Sequence, residues 1–133
     1  LSPAMIHRAR ERAQARGLTD VELIEADATD LPLPSASANL LLSYWGLHCF
    51  PDPAAALAEA ARVLEPGGRL VGTSLVPGRD SLRQRLLLRP HTGDFGLLGT
   101  QEEIESWLSK AELDLTSAKR SGPFFLFEAR KQV

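Results

Sequence analysis

Residues 39–76 read NLLLSYWGLHCFPDPAAALAEAARVLEPGGRLVGTSLV, and this stretch decides the fold. Leu40 to Ser43 is short and uniformly apolar, which predicts a strand buried on both faces, the habit of parallel sheets. Asp52-Pro53 then offers a side-chain cap followed by proline in the first helical turn, where a missing N–H costs nothing. Leu57, Ala60, Ala61 and Leu64 recur at helical spacing and draw the apolar stripe of a helix. Glu65-Pro66-Gly67-Gly68 stops that helix and turns the chain. Arg69 to Val76 is strand-like again, with Gly72 thinning its packing. The unit is strand, helix, strand, which favours a parallel pair.

Toward the N-terminus, Ser2 is placed to cap a helix that begins with Pro3, carries Met5, Ala9 and Ala13 on one side, and ends at Gly17. Val21 to Ala26 predicts a short strand running into the polar turn Asp27-Ala28-Thr29-Asp30, with Pro32 and Pro34 barring regular structure beyond. Toward the C-terminus the pattern weakens from Pro77 to Gly99. A short helix near Ser81 to Leu88 carries Arg83 and Arg85, with Arg79 and Arg89 flanking it and a Gly-punctuated loop holding His91 and Asp94 beyond. Thr100-Gln101-Glu102-Glu103 forms a capping box with the stripe Ile104, Trp107, Leu108 and Ala111 behind it. Leu113 to Ala118 and Phe124 to Arg130, joined by Ser121-Gly122-Pro123, predict an antiparallel hairpin. The expected class is α/β, with a mostly parallel sheet and an antiparallel excursion at its C-terminal edge.

Composition bounds the rest. The 133 residues carry 15 Lys+Arg against 17 Asp+Glu, a formal charge of -2, with 44% hydrophobic residues. That suffices for one globular core, and the charge balance gives no basic excess to attract nucleic acid or a membrane surface. The lone Cys49 excludes an intrachain disulfide and a cysteine-based zinc cluster, and the three histidines lack carboxylates at ligand spacing, so no metal site is expected. No apolar run reaches membrane-span length and the first twenty residues hold no secretory h-region, so a soluble, cytoplasmic protein is the expectation. The chain opens on Leu1-Ser2-Pro3 without an initiator Met.

Several of these segments together resemble the class I S-adenosylmethionine-dependent methyltransferases of the small-molecule type. LSPAMIHRARERA is similar to the helix after that family's second strand, and EADATDLPLP to its third strand and acidic turn. NLLLSYWGLHCF resembles the fourth strand and its following loop, and ALAEAARVLEPGGRLV the next helix, turn and fifth strand. GTQEEIESWLSKAE and FFLFEARK resemble the last helix and the antiparallel strand. The order is right across essentially the whole chain.

Four departures accompany the match. The family's glycine-rich cofactor loop has no counterpart, because Gly67-Gly68 follows a helix. The acidic residue that closes the second strand and holds the ribose would precede Leu1. Asn39 stands where Asp is common, and Glu112 where Gly is frequent after the last helix. The chain is therefore expected to be a single, partial methyltransferase-like domain over residues 1–133, lacking a first βαβ stretch. Such a sheet exposes strand edges, which predicts an unstable chain, a homodimer formed through the gap, or a piece of something larger.

The resemblance implies S-adenosylmethionine as cofactor and methyl transfer to a small-molecule acceptor. It gives Asp27 and Ala28 the adenine, through the carboxylate and the Ala28 N–H; an Asp that merely shapes a turn is the plain alternative. Ser43, Tyr44 and Trp45 would flank the cofactor, where an aromatic face gains from a sulfonium by cation–π attraction, or else pack the core rim. His48 is the candidate general base, set against a structural histidine, since methyl transfer needs alignment more than a base. Cys49 is expected to pack as a small apolar residue. Two other readings stay open: a noncatalytic binding module on the same scaffold, favoured by the missing glycine-rich loop, and a nicotinamide-dependent oxidoreductase, for which no G-x-G-x-x-G exists.

Overall fold

A computed structural model of the chain describes residues 3–77 and 99–133. The elements are α1 (Pro3–Ala15), β1 (Ala38–Tyr44), a single 3-10 turn (Leu47–Cys49), α2 (Pro53–Val63), β2 (Leu64–Leu75), α3 (Gln101–Lys110), β3 (Leu113–Ser121) and β4 (Phe124–Lys131). The four strands form one sheet in the order β1-β2-β4-β3. β1 and β2 run parallel across the α2 crossover, and β4 lies antiparallel to both β2 and β3. The Ser2 cap, the helix near Ser81 to Leu88, the arginines 79, 83, 85 and 89, His91 and Asp94 lie outside the described residues.

Local sequence explains the helices that pack on this sheet. The Asp52 carboxylate accepts the Ala55 N–H at 2.9 Å and starts α2. At α3 the Thr100 hydroxyl accepts the Glu103 N–H at 3.1 Å while the Glu103 carboxylate accepts the Thr100 N–H at 2.7 Å. Both orphan donors are thus satisfied reciprocally. Leu57, Ala61 and Leu64 from the α2 segment, Ile104 and Leu108 from α3, and Leu70, Phe125, Phe127 and Ala129 from the sheet make one buried cluster. Gly72 belongs to it by what it lacks: a Cβ there would stand within 2.9 Å of three atoms of the Phe127 ring.

The Pro-Gly-Gly segment works differently from the expectation. α2 ends at Val63 and β2 begins at Leu64, already paired with Ala38, but the next pair is Leu40 with Arg69. Glu65–Gly68 is therefore a bulge inside the strand's span rather than a turn before it. Gly67 takes φ +76°, and a Cβ on Gly68 would meet the Glu65 carbonyl at 2.9 Å and the Ala38 carbonyl at 3.2 Å. Both glycines are there for conformation and close approach.

Two further expectations are corrected by the structure, and the placing of α1 is new. Val21 to Ala26 is no strand of this sheet; the chain there is irregular, with only an isolated bridge between Asp27 and Asp30. A strand exists by its neighbours, and the described residues hold no free ladder that this segment reaches. β1 is covered on one face only: Leu40 and Leu42 are 40% and 66% exposed, because α2 and α3 lie on the face of Leu41 and Ser43. α1 has no buried residue. Its stripe of Met5, Ala9 and Ala13 instead lines an open groove of about 450 Å³ with Leu18, Val21 and Leu23.

Candidate functional site

Open α/β sheets bind ligands beyond the C-terminal ends of their parallel strands. Here those ends are Tyr44 of β1 and Leu75 of β2, paired in register up to Tyr44 with Thr73. Immediately past Tyr44 the backbone takes a left-handed step: Trp45 has φ +56°. Steric crowding makes that rare for a bulky side chain, and it costs about 1–3 kcal/mol wherever it persists. The Trp45 N–H donates to the Thr73 hydroxyl oxygen at 3.0 Å, and Gly46 follows in a tight place, where a Cβ would meet Ser43 Oγ at 3.0 Å and Phe50 Cζ at 3.1 Å and press both side chains back by a few tenths of an ångström.

The side chains of this turn form an aromatic cluster. The Trp45 ring meets Tyr44, His48 and Phe124 edge-on, at centroid distances of 6.2, 5.7 and 5.4 Å. Tyr44 is 79% exposed and Phe124 50% exposed, so the cluster opens to solvent on one side. Among the described residues, buried Ser43 Oγ has no hydrogen-bond partner, which leaves its desolvation uncompensated there.

His48 is 4% exposed, and its Nδ1 accepts the Leu75 N–H at 3.3 Å. That bond places the neutral ring's proton on Nε2 and uses the lone pair that a general base would need. Burial also pushes its pKa below the ordinary histidine value. Cys49, expected to pack as an apolar residue, is exposed instead; the 3-10 turn that buries Leu47 and His48 turns the next side chain outward. Its thiol points back to the Trp45 carbonyl at 3.5 Å. His7 pairs with Glu11 on the surface of α1.

Asp27 and Ala28 sit in a separate turn. Asp27 Oδ1 accepts both the Thr29 N–H at 2.9 Å and the Thr29 hydroxyl at 2.8 Å, and these bonds hold its carboxyl below the usual carboxylate range. The turn-shaping role is therefore filled by one oxygen. Asp27 Oδ2 and the Ala28 N–H make no hydrogen bond among the described residues. An acceptor and a donor side by side are the pair that an adenine edge, with its amino group and ring nitrogen, requires.

Sequence reasoning missed what holds this segment in place. Arg62 Nε and Nη2 grip Glu59 at 2.8 and 2.7 Å, while Nη1 and Nη2 reach the Ser35 hydroxyl and the carbonyls of Leu31 and Leu33. Glu59 Oε1 in turn accepts the Leu31 N–H at 2.8 Å. The guanidinium beside it holds the Glu59 carboxyl at about 2. The readable signal was the Glu/Arg pair at i,i+3 on α2 opposite the Pro32 and Pro34 stretch, whose backbone polar groups need side-chain partners. Among the described residues no group of three or more His, Cys, Asp or Glu could hold a metal ion, and no described helix is long and apolar enough to cross a membrane.

Comparison with known proteins bears on this geometry. A family model described as a methyltransferase domain matches residues 1–72. Demethylmenaquinone methyltransferase of Thermus thermophilus is 39% identical over 97 residues, 73% of this chain and 38% of the relative. Aklanonic acid methyltransferase DauC of a Streptomyces species is 37% identical over 122 residues, 84% of this chain and 56% of the relative. The chain thus spans about two fifths to somewhat over half the length of these two relatives. BH2331 of Bacillus halodurans, solved as a candidate methyltransferase, superposes with a TM-score of 0.88 over all of this chain and 81% of its own, at 16% identity. At that identity the likeness speaks for the fold alone.

Proposed function

The chain belongs to the class I S-adenosylmethionine-dependent methyltransferases, and from that premise we propose that it supplies the adenine- and acceptor-facing part of an enzyme that methylates a small organic molecule. Two observations carry this: the pair of open polar atoms, Asp27 Oδ2 and the Ala28 N–H, and, in a separate turn, the aromatic cluster at the C-terminal end of a parallel strand. Those residues fit the cofactor's chemistry: an acceptor and a donor for adenine, aromatic rings for a sulfonium. When bound, S-adenosylmethionine supplies an electrophilic methyl carbon for in-line displacement.

The chain's own residues then orient and exclude. Asp27 and Ala28 fix the adenine end. Ser43 brings a hydroxyl, unpaired among the described residues, to the strand end, and Tyr44 and Trp45 offer rings worth about 0.5–2 kcal/mol to a nearby cation. His48, with Nδ1 committed to Leu75, shapes the loop that faces the acceptor; as a base it would first have to release that bond. Proximity and alignment supply most of what a displacement needs, so no base is required of the fold. The names of the two relatives, a demethylated quinone and a polyketide acid, direct the search for the acceptor to such small organic molecules.

We test this with methyl-labelled S-adenosylmethionine and a panel of quinol and phenolic acceptors, using the polypeptide at its natural length. Label appearing in an acceptor supports the enzyme. Cofactor binding with no transfer to any acceptor supports the second reading, a noncatalytic binding module on the same scaffold. The outer edge of β1, which pairs with no strand among the described residues, also supports a homodimer joined there, checked by sedimentation, and the lone thiol of Cys49 suits a reducing, cytoplasmic setting.

A further inference from the structure

We infer that Thr73, on β2, is a positioning residue for the cofactor-facing Trp45. The inference rests on the methyl-transfer reading for its function but on the structure for its mechanism. Tyr44 and Thr73 are the last paired residues of the β1–β2 ladder. One residue later the chain turns left-handed at Trp45, so the Trp45 N–H leaves the ladder and loses the main-chain acceptor that another extended residue would have found. The Thr73 hydroxyl oxygen takes that N–H at 3.0 Å, in a partly buried setting. It is a side-chain substitute for a ladder carbonyl, and it satisfies a donor that would otherwise be stranded in a strained conformation.

A second contact from the same strand reinforces it. Two residues further along β2, the Leu75 N–H donates to His48 Nδ1 at 3.3 Å, so β2 grips the loop at both Trp45 and His48. The Trp45 ring then meets both His48 and Phe124 edge-on. Nothing in this arrangement needs Thr73 to touch a ligand. Its hydroxyl sets where the indole stands, and the indole is the group that would meet the sulfonium.

Thr73→Val keeps the shape and the β-branched strand preference and removes only the acceptor; Thr73→Ser keeps the acceptor. The chain has two tryptophans, so both substitutions are made in a Trp107→Phe background that leaves Trp45 as the reporter. Thr73→Val is expected to raise acrylamide quenching of Trp45 and shift its emission to the red, with Thr73→Ser close to the parent. In the natural-length polypeptide, S-adenosylmethionine affinity is expected to fall about fivefold to tenfold in Thr73→Val, as for one lost hydrogen bond, and to be restored by Ser. Unchanged Trp45 emission and quenching in Thr73→Val overturns the positioning claim, whatever the cofactor does. A changed Trp45 signal with undiminished cofactor affinity overturns its functional part. If the parent itself binds no cofactor, the methyl-transfer reading fails, and the fluorescence result still decides whether Thr73 sets Trp45.

Discussion

Replacing Gly72 by alanine should strike the core and the site together. Gly72 lies between Ser43 of β1 and Phe127 of β4 in the sheet register, and the Phe127 ring covers its Cα. A Cβ would stand within 2.9 Å of Cζ, Cε1 and Cε2 of that ring. Carbon atoms rest at about 3.5–4.0 Å, so the ring must retreat by roughly an ångström. Phe127 is 1% exposed and stacks on Phe125, which leaves it nowhere to retreat without moving its neighbours. Overpacking of this kind costs about 1–3 kcal/mol, which for a chain of this size lowers Tm by about 3–12 °C. Chemical denaturation of the parent, Gly72→Ala, Phe127→Leu and the double variant gives the coupling. The smaller Leu should accept the new methyl, so the double variant should be more stable than the sum of the singles by about 1 kcal/mol or more. If Gly72→Ala melts with the parent, or the two changes simply add, the close approach of ring and backbone is refuted.

Other outcomes follow from the same coordinates. Glu112 sits at φ +58° just after α3, so Glu112→Gly should raise stability by up to about 1 kcal/mol, read as an upward shift of the denaturation midpoint. Thr100→Ala removes half of the α3 capping box and should cost about 1 kcal/mol, with Thr100→Ser close to neutral in the same melt. The depressed Glu59 carboxyl stabilises the fold above the ordinary carboxylate range, and that contribution should fade as pH falls from about 4.5 toward about 2; an acid titration of Glu59→Gln should lack that part of the loss. The lowered pKa of His48 works in the same direction at higher pH. The unfolded chain takes up the proton first, so stability should decline as pH drops below 6.5, and His48→Asn should flatten that decline.

What the sequence made legible were the features set by neighbours in the chain. The Asp52 and Thr100 caps, the buried stripes of α2 and α3, the parallel pair across α2 and the C-terminal hairpin all follow from local spacing and end chemistry. Gly72 was seen as a thin place in a strand, but only the fold shows that Phe127 fills it. Glu112 was noted as standing where a glycine is frequent, and its left-handed backbone supplies the physical reason. The strand expected at Val21 to Ala26 failed because pairing is a property of two segments, and alternation within one cannot report whether the other is in reach. The second face of β1 failed likewise: an apolar run states what a face prefers, not what covers it. At the site, Asp27 and Trp45 were named as residues, but the free second oxygen of Asp27, the strain at Trp45 and the Arg62–Glu59 grip on Leu31 come from conformation and contacts across roughly thirty positions of sequence.

The central claim, that Asp27 and Ala28 hold the adenine end of S-adenosylmethionine, is tested most directly by isothermal titration of that cofactor into the natural-length polypeptide and its Asp27→Ala variant. Saturable binding by the parent, weakened about tenfold or more when the hydrogen bond to the charged carboxylate is lost, is the expected result. Equal affinity in the two proteins, or no heat of binding in either, would contradict it.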